Sequence, residues 1–243
     1  MSLAAIGVLI AVHLTAGYVD RWQGRGKLLF FSAAAGVSVA YTVMQLLPQL
    51  SRSDRQISAI AREYLPLLER HGYFLAVVGI VVFYANAVRI SRSRGAQIAQ
   101  GRADQADRRA FATSMVLMSI FNMMVAYSIT DPNDPEIQPI VLFVVALALF
   151  YFVADVALHS SYKQEYHRVG RWILVGALLV GWLVGTKFEV SVTVIASFVA
   201  FFAGGILVTG LGNELRTGLS RKVWAFGIAA IAYSFLMMFL QPA

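Results

Sequence analysis

Residues 140–158 read IVLFVVALALFYFVADVAL, an apolar run that contains a single charged residue, Asp155. A helix needs about 20 mostly apolar residues to cross the hydrocarbon core of a bilayer, and this run has that length. Inside hydrocarbon, a helix satisfies every backbone N–H and C=O group within its own segment. The run therefore predicts a transmembrane helix, and the same pattern recurs along the chain.

Eight apolar stretches of this kind occur, each with polar or charged flanks. They cover residues 3–19, 28–47, 72–88, 110–130, 140–158, 172–186, 190–211 and 223–240. The sixth is short, but Arg171 and Lys187 at its ends can extend their charged groups to the lipid headgroups. Prolines lie at or beyond the ends of the stretches, where they do not interrupt a helix. We predict an all-α polytopic membrane protein, with one membrane domain over residues 1–243.

Residues 51–70 form a different kind of segment between the second and third spans. Apolar side chains recur there at helical spacing within a polar background. This periodicity predicts an amphipathic helix on the membrane surface, with a solvated loop helix as the alternative.

The composition of the whole chain agrees with a membrane protein. Of the 243 residues, 58% are hydrophobic and 14% are charged, whereas soluble domains are roughly half apolar and a quarter charged. The chain has no cysteine, which excludes disulfides, thiolate catalysis and cysteine-ligated metal centres. Since it also lacks the sequence motifs of serine hydrolases, phosphate-binding loops and zinc proteases, we do not expect an enzyme.

Basic residues predict the orientation of the protein. With eight spans, fifteen of the 20 Lys and Arg residues fall on one side of the membrane. The positive-inside rule places this side in the cytoplasm, so both termini are predicted outside and the arginine-rich loop 89–109 inside. The net charge of +7 lies in short loops beside the spans, which favours anionic lipid over nucleic acid as its partner. The compact loops suggest a bacterial inner membrane.

Two spans contain short motifs built on small residues. The second span contains Ala33–Tyr41, AAAGVSVAY, and ends Met44–Gln49, MQLLPQ. The seventh contains Ala200–Gly205, AFFAGG, followed by Gly212–Leu215, GNEL. The chain thereby resembles the ZIP family of divalent metal transporters, whose glycine-bearing second helix runs into His-Leu-Leu-Pro-Glu and whose seventh helix passes from Ala-Gly-Gly to an acid.

The match to those motifs is partial. Gln45 and Gln49 replace the histidine and the glutamate of the family, while Glu214 keeps the acid. The predicted layout is also similar to the family's, with eight helices, outside termini and the longest loop in the cytoplasm after the third helix. The resemblance implies a 3+2+3 arrangement in which inverted repeats relate the first three helices to the last three.

The resemblance also implies a metal site on the fourth and fifth helices. The family's His-Asn-x-x-Asp motif is reduced here to Asn122, within Phe121–Val125. On the fifth helix, Asp155-x-x-x-His159 is the preferred match and Tyr151-x-x-x-Asp155 is the other register. Carboxylate and imidazole suit zinc and its neighbours, and an intramembrane carboxylate is a functional candidate by default. The candidate ligands are Asn122, Asp155 and His159, unless Asp155 only bonds His159 or pairs with Lys163 or Arg168.

Other polar groups within the spans are weaker candidates. His13, Gln45 and Asn86 are single groups of the kind that more often join helices than bind ligands. Together with Glu214, His13 and Gln45 are further candidates for an ion pathway.

Two functions follow from these residues. The first is a ZIP-like permease for a divalent cation such as zinc, which would be cargo and not a resident cofactor. The alternative is a non-transporting scaffold, sensor or partner-binding protein that keeps the transporter fold. The number of ligands distinguishes them, because a working carrier needs several converging donors. Expected partners are the lipid bilayer, the cation and a second copy in a homodimer.

Overall fold

The computed structural model describes residues 2–21, 25–61, 71–130, 140–216 and 223–240. These residues form nine α-helices and no strand, which confirms the all-α prediction. The helices are α1 Ser2–Thr15, α2 Arg25–Tyr41, α3 Leu47–Ala61, α4 His71–Ala99, α5 Arg108–Ser128, α6 Ile140–Tyr162, α7 Arg171–Lys187, α8 Val192–Arg216 and α9 Val223–Leu240.

Within the residues that the structure describes, seven apolar helical segments are long enough to cross a membrane, so the chain is a multi-pass membrane protein. They cover residues 26–52, 72–99, 108–128, 140–162, 166–187, 193–210 and 223–240. The first predicted span corresponds to a shorter apolar helix over residues 2–18. Helix α1 is followed directly by a 3₁₀ helix, Ala16–Arg21. A 3₁₀ helix rises about 2.0 Å per residue instead of 1.5 Å, so this segment extends further than its number of residues suggests. The eighth span stays a prediction.

The second span does not end at Pro48, contrary to the sequence prediction. Helix α2 passes through a π-helical turn, Thr42–Leu46, directly into α3. The N–H of Leu47 donates to the carbonyl of Thr42, so a wider turn precedes the proline, which lacks an N–H of its own. The predicted surface helix 51–70 is therefore continuous with the span as far as Ala61, and residues 62–70 lie outside the described part of the chain.

The predicted cytoplasmic loop 89–109 is half helical. Helix α4 continues past Val88 to Ala99, because helix formation does not stop where the apolar pattern stops. The Arg94 guanidinium binds both oxygens of the Asp104 carboxylate, at 2.8 and 2.7 Å. Asp107 caps α5 by accepting the N–H of Ala110 at 2.7 Å, so the short connection is fixed at both ends.

The helices cluster into two compact units. The first unit comprises residues 1–27 and 85–188, with α1, the end of α4, α5, α6 and α7. Helix α7 packs against α5 through glycine, since Gly181 lies directly against the backbone of Met123 and Gly185 against Thr130. Such small residues let helix backbones approach closely in lipid.

The second unit comprises residues 28–84 and 189–243, with α2, α3, the start of α4, α8 and α9. Its helices also cross at glycines. Gly36 lies against the carbonyl of Phe226, and Gly204 against the carbonyl of Ala76. The glycines of the two small-residue motifs thus lie where helices cross. The predicted 3+2+3 arrangement with inverted repeats stays a prediction.

Candidate functional site

Three buried polar side chains meet in the first unit, each from a different helix. His13 of α1 places Nδ1 2.6 Å from Oδ2 of Asp155 on α6. Its other ring nitrogen, Nε2, lies 2.8 Å from Oδ1 of Asn122 on α5. The three residues are 1%, 1% and 0% exposed, respectively. They form a line from Asp155 through His13 to Asn122, which we call the polar triad.

Hydrogen bonding within α5 fixes the orientation of Asn122. Its Nδ2 donates to the carbonyl of Met118, one turn earlier, at 2.8 Å. The carbonyl can only accept, so Oδ1 is the atom that faces the imidazole. Nε2 of His13 must therefore carry a proton and donate it to Asn122, an assignment that follows from the partners of both side chains.

The remaining contact, 2.6 Å between Nδ1 of His13 and Oδ2 of Asp155, is a hydrogen bond only if one proton lies between the two atoms. The proton belongs either to an imidazolium beside a carboxylate or to a carboxylic acid beside a neutral imidazole. In both forms the pair has no net charge. Because burying an isolated charge in an apolar medium is costly, this neutrality allows Asp155 to lie inside the helix bundle.

Aromatic rings surround the triad. The Tyr151 ring centroid lies 4.9 Å from that of His13, and Phe121 packs edge-on against Tyr151 with centroids 5.6 Å apart. The buried Tyr166 hydroxyl is close enough to Asp155 to interact with its carboxylate. It makes no direct hydrogen bond to any residue that the structure describes. These rings exclude water and lower the local dielectric constant, which strengthens the hydrogen bonds of the triad.

The donors of the triad lie in a line and do not surround a common point. The two ring nitrogens of His13 face different partners, so an ion bound at Nδ1 would reach Asp155 but not Asn122. Within the described residues, no group of three or more His, Cys, Asp and Glu side chains is placed to hold a metal ion. Within the triad, the contact between Nδ1 of His13 and Asp155 is the one that joins two ionisable side chains.

The structure brings together two of the three predicted ligands, Asn122 and Asp155, and places His13 between them. His159 lies further along α6, where its ring centroid is 6.2 Å from that of Tyr166 and 6.5 Å from that of His167. Asp155 hydrogen-bonds His13, whereas the sequence alternatives paired it with His159, Lys163 or Arg168. The role of each residue as a metal ligand stays a prediction.

The remaining candidates lie elsewhere. Gln45 is buried in the π-helical turn of the second unit. Glu214 belongs to α8, but its side chain is outside the part of the chain described. Asn86 joins two helices, as expected, because its amide donates to Ser114 at 3.0 Å.

A signal in the sequence could have identified the partner of Asp155. Apart from tyrosines, the eight predicted spans contain only two ionisable side chains, His13 and Asp155. Each is costly alone in hydrocarbon, so pairing one with the other is the expected solution. Helical spacing alone favours His159, one turn away from Asp155, over this long-range pair.

Comparison of the chain with known protein families, curated proteins and solved structures finds no match. No match identifies the ZIP family, so the resemblance stays a prediction from the sequence motifs.

Proposed function

We propose that the protein is a membrane permease for a divalent cation such as zinc, and that Asp155 and His13 bind the cation. The observation that carries this proposal is the 2.6 Å contact between a buried carboxylate and a buried imidazole within apolar helices. Ionisable residues inside membrane segments are rare and mark ion or proton pathways. The ZIP-like motifs favour a divalent metal as the ion.

The chemistry of the pair suits such a cation. Carboxylate oxygen and imidazole nitrogen are ligands of zinc and of its first-row neighbours. The cation must displace the proton that Asp155 and His13 share, so binding of one ion releases one proton. The pair then provides one negative charge and two donor atoms.

Asn122 has an orienting role in this proposal. A histidine that binds a metal through one nitrogen commonly donates its other N–H to an oxygen, which fixes the ring and its tautomer. The Oδ1 atom of Asn122 accepts that hydrogen bond from Nε2 of His13. Two protein ligands make a weak site, and weak binding suits a cation that must also leave.

The test is cation flux into liposomes that contain the purified protein, with zinc, manganese, cadmium and iron(II) assayed separately. We expect wild-type protein to transport at least one of them and Asp155→Asn and His13→Gln to reduce flux to the level of empty liposomes. Circular dichroism and gel filtration show whether each variant is folded. His159→Ala is the matched control, because it removes an imidazole from the same helix as Asp155 without touching the triad.

Two outcomes would contradict the proposal. Wild-type protein that transports none of the four cations is not a permease of this class. If flux is lost in His159→Ala but retained in His13→Gln, the cation site is the pair Asp155 and His159, which helical spacing predicts.

A non-transporting membrane scaffold is the second candidate, and one observation favours it. The hydrogen bonds of the triad satisfy His13 on both sides and join α1, α5 and α6. A triad with only this role would stabilise the bundle. In that case the wild-type protein shows no cation flux, and Asp155→Asn and His13→Gln lower its unfolding temperature.

A further inference from the structure

A cavity of about 700 Å³ opens where α6 ends. Its lining includes Gly17, His159, Ser160, Lys163, Gln164 and His167. Tyr18 completes the lining, and none of these residues is acidic. We call this cavity the basic pocket. It is separate from the polar triad and does not depend on the proposed transport function.

The basic pocket lies at the edge of the apolar spans. Two segments long enough to span a membrane, Ile140–Tyr162 and Tyr166–Lys187, end or begin beside it, as does the shorter apolar helix Ser2–Tyr18. Lys163, Gln164 and His167 are exposed, and Tyr18 is 54% exposed. Exposed polar groups beside the ends of apolar helices predict a pocket at the depth of the lipid headgroups. The distribution of basic residues predicts that this face is cytoplasmic.

The backbone around the pocket departs from regular helix in two places. Lys163 has a φ of 45°, a left-handed conformation that is costly for a residue with a side chain and that clusters at functional sites. A π-helical turn, Tyr166–Gly170, carries His167, and such turns are frequent at functional sites. Lys163 and His167, which lie in these two departures, both line the cavity.

Gly17 keeps the pocket open. A Cβ atom at this position would lie 3.4 Å from Nδ1 of His167 and 4.0 Å from Cδ2 of His159. A methyl group fits at that distance, but a larger side chain would occupy the space between Gly17 and the two imidazoles.

We infer that the basic pocket binds a phosphate group, supplied by an anionic phospholipid headgroup or by free phosphate. The Lys163 ammonium provides a fixed positive charge, and Ser160, Gln164 and the imidazoles provide further hydrogen-bond donors. Basic pockets between membrane helices recognise phosphorylated headgroups in this way. Asp104 interacts electrostatically with Lys163, but its carboxylate is already paired with Arg94. A metal ion is disfavoured by the Lys163 charge.

The test compares lipid retention with phosphate binding. Protein is reconstituted into phosphatidylcholine vesicles and into equimolar phosphatidylcholine and phosphatidylglycerol vesicles, extracted in mild detergent and examined by native mass spectrometry for bound phospholipid. Inorganic phosphate is titrated separately by calorimetry, and sulfate serves as a comparison. Lys163→Asn removes the charge and suits the left-handed backbone. Arg168→Gln, which removes an exposed charge outside the lining, is the matched control.

We expect wild-type protein to retain phosphatidylglycerol in preference to phosphatidylcholine and Lys163→Asn to weaken the interaction roughly fivefold. Gly17→Leu should abolish it without a change of charge, while Gly17→Ala should retain it. Phosphate binding without lipid retention supports the pocket and assigns its ligand to solution. If the protein retains phosphatidylglycerol and inorganic phosphate displaces it, the ligand is the lipid headgroup.

Three results would overturn the inference. If Lys163→Asn and Arg168→Gln weaken binding equally, the ligand is attracted by the general positive charge of this face and not by the pocket. Unchanged binding in folded Gly17→Leu would place the ligand outside the pocket. If the wild-type protein neither retains lipid nor binds phosphate, the pocket does not bind phosphate groups.

Discussion

The Asp155 carboxylate lies 2.6 Å from the imidazole of His13, a residue 142 positions earlier in the chain. Both side chains are buried inside the first unit. A contact between such distant residues joins α1 to α6. If it is broken, each side chain loses a hydrogen-bond partner in an apolar environment.

The energetic coupling of this pair is the first prediction. Asp155→Leu and His13→Leu should each lower the free energy of unfolding by about 3–5 kcal/mol, because each leaves one buried ionisable partner unpaired. The double variant should lose clearly less than the sum of the two. A denaturant-unfolding cycle in detergent measures this, and additive losses would show that the two residues do not interact.

Orientation of the imidazole by Asn122 gives the second prediction. Asn122→Leu removes the oxygen that accepts the Nε2 proton and should reduce cation flux roughly 10–100-fold. Asn86→Leu removes a different interhelical amide and should leave flux near the wild-type level. Equal effects of the two variants would mean that flux only reports the packing of α5.

Two glycines of α7 provide the third prediction. A Cβ at Gly181 would overlap the backbone of Met123, whereas none of the described atoms lies within 4 Å of a Cβ at Gly176. Gly181→Ala should therefore destabilise the protein by about 1–3 kcal/mol. Gly176→Ala should stabilise it by about 0.4–1 kcal/mol, because the unfolded chain loses freedom. Thermal unfolding compares them, and shifts of the same sign would refute this packing of α5 and α7.

The fourth prediction concerns pH. The hydrogen bonds from Arg94 hold the pKa of Asp104 below its usual range. A lowered carboxyl pKa stabilises the folded connection above the unfolded value of about 3.9, and that stabilisation is lost as the pH falls through the folded pKa. The protection of amides over residues 100–107, measured as exchange relative to the intrinsic rate at each pH, should thus be high near neutral pH and fall in acid.

Arg94→Gln should already show the faster exchange at neutral pH. Arg92→Gln, an exposed arginine two residues earlier in α4, is its control and should exchange like the wild type. Slow exchange in Arg94→Gln would show that other contacts hold the connection.

Orientation in the membrane is the fifth prediction. The chain contains no cysteine, so single variants label without background. Ser2→Cys should react with an impermeant thiol reagent from outside, and Gly95→Cys, at an open helical position, only from the cytoplasmic side. Labelling of both from the same side would contradict the predicted topology.

Much of the fold could be predicted from sequence, because in lipid the length of an apolar run determines where a helix can cross. Residues 223–240 are an example, since the predicted span and α9 coincide. Helix ends are harder to predict than spans, as α4 shows by continuing past Val88 to Ala99, because polar segments lack the apolar pattern. The prediction failed at Pro48, where a π-helical turn before the proline lets the helix continue.

The candidate site was predicted in part. Asn122 and Asp155 stood out as polar groups in apolar runs, and the structure places them on either side of one imidazole. Local spacing indicated His159 as the partner of Asp155. Tertiary packing instead supplies His13, since the pairing of two costly groups depends on which helices meet.

The single proton between Asp155 and His13 has an electrical consequence for the proposed permease. The protonated pair is neutral, whereas the pair with a divalent ion in place of that proton has one net positive charge. Moving the cation-occupied pair across the membrane would therefore change the free energy by about 2.3 kcal/mol per 100 mV of membrane potential. The return of the neutral, protonated pair would not depend on the potential. A negative interior would thus draw the cation inward even without a concentration gradient.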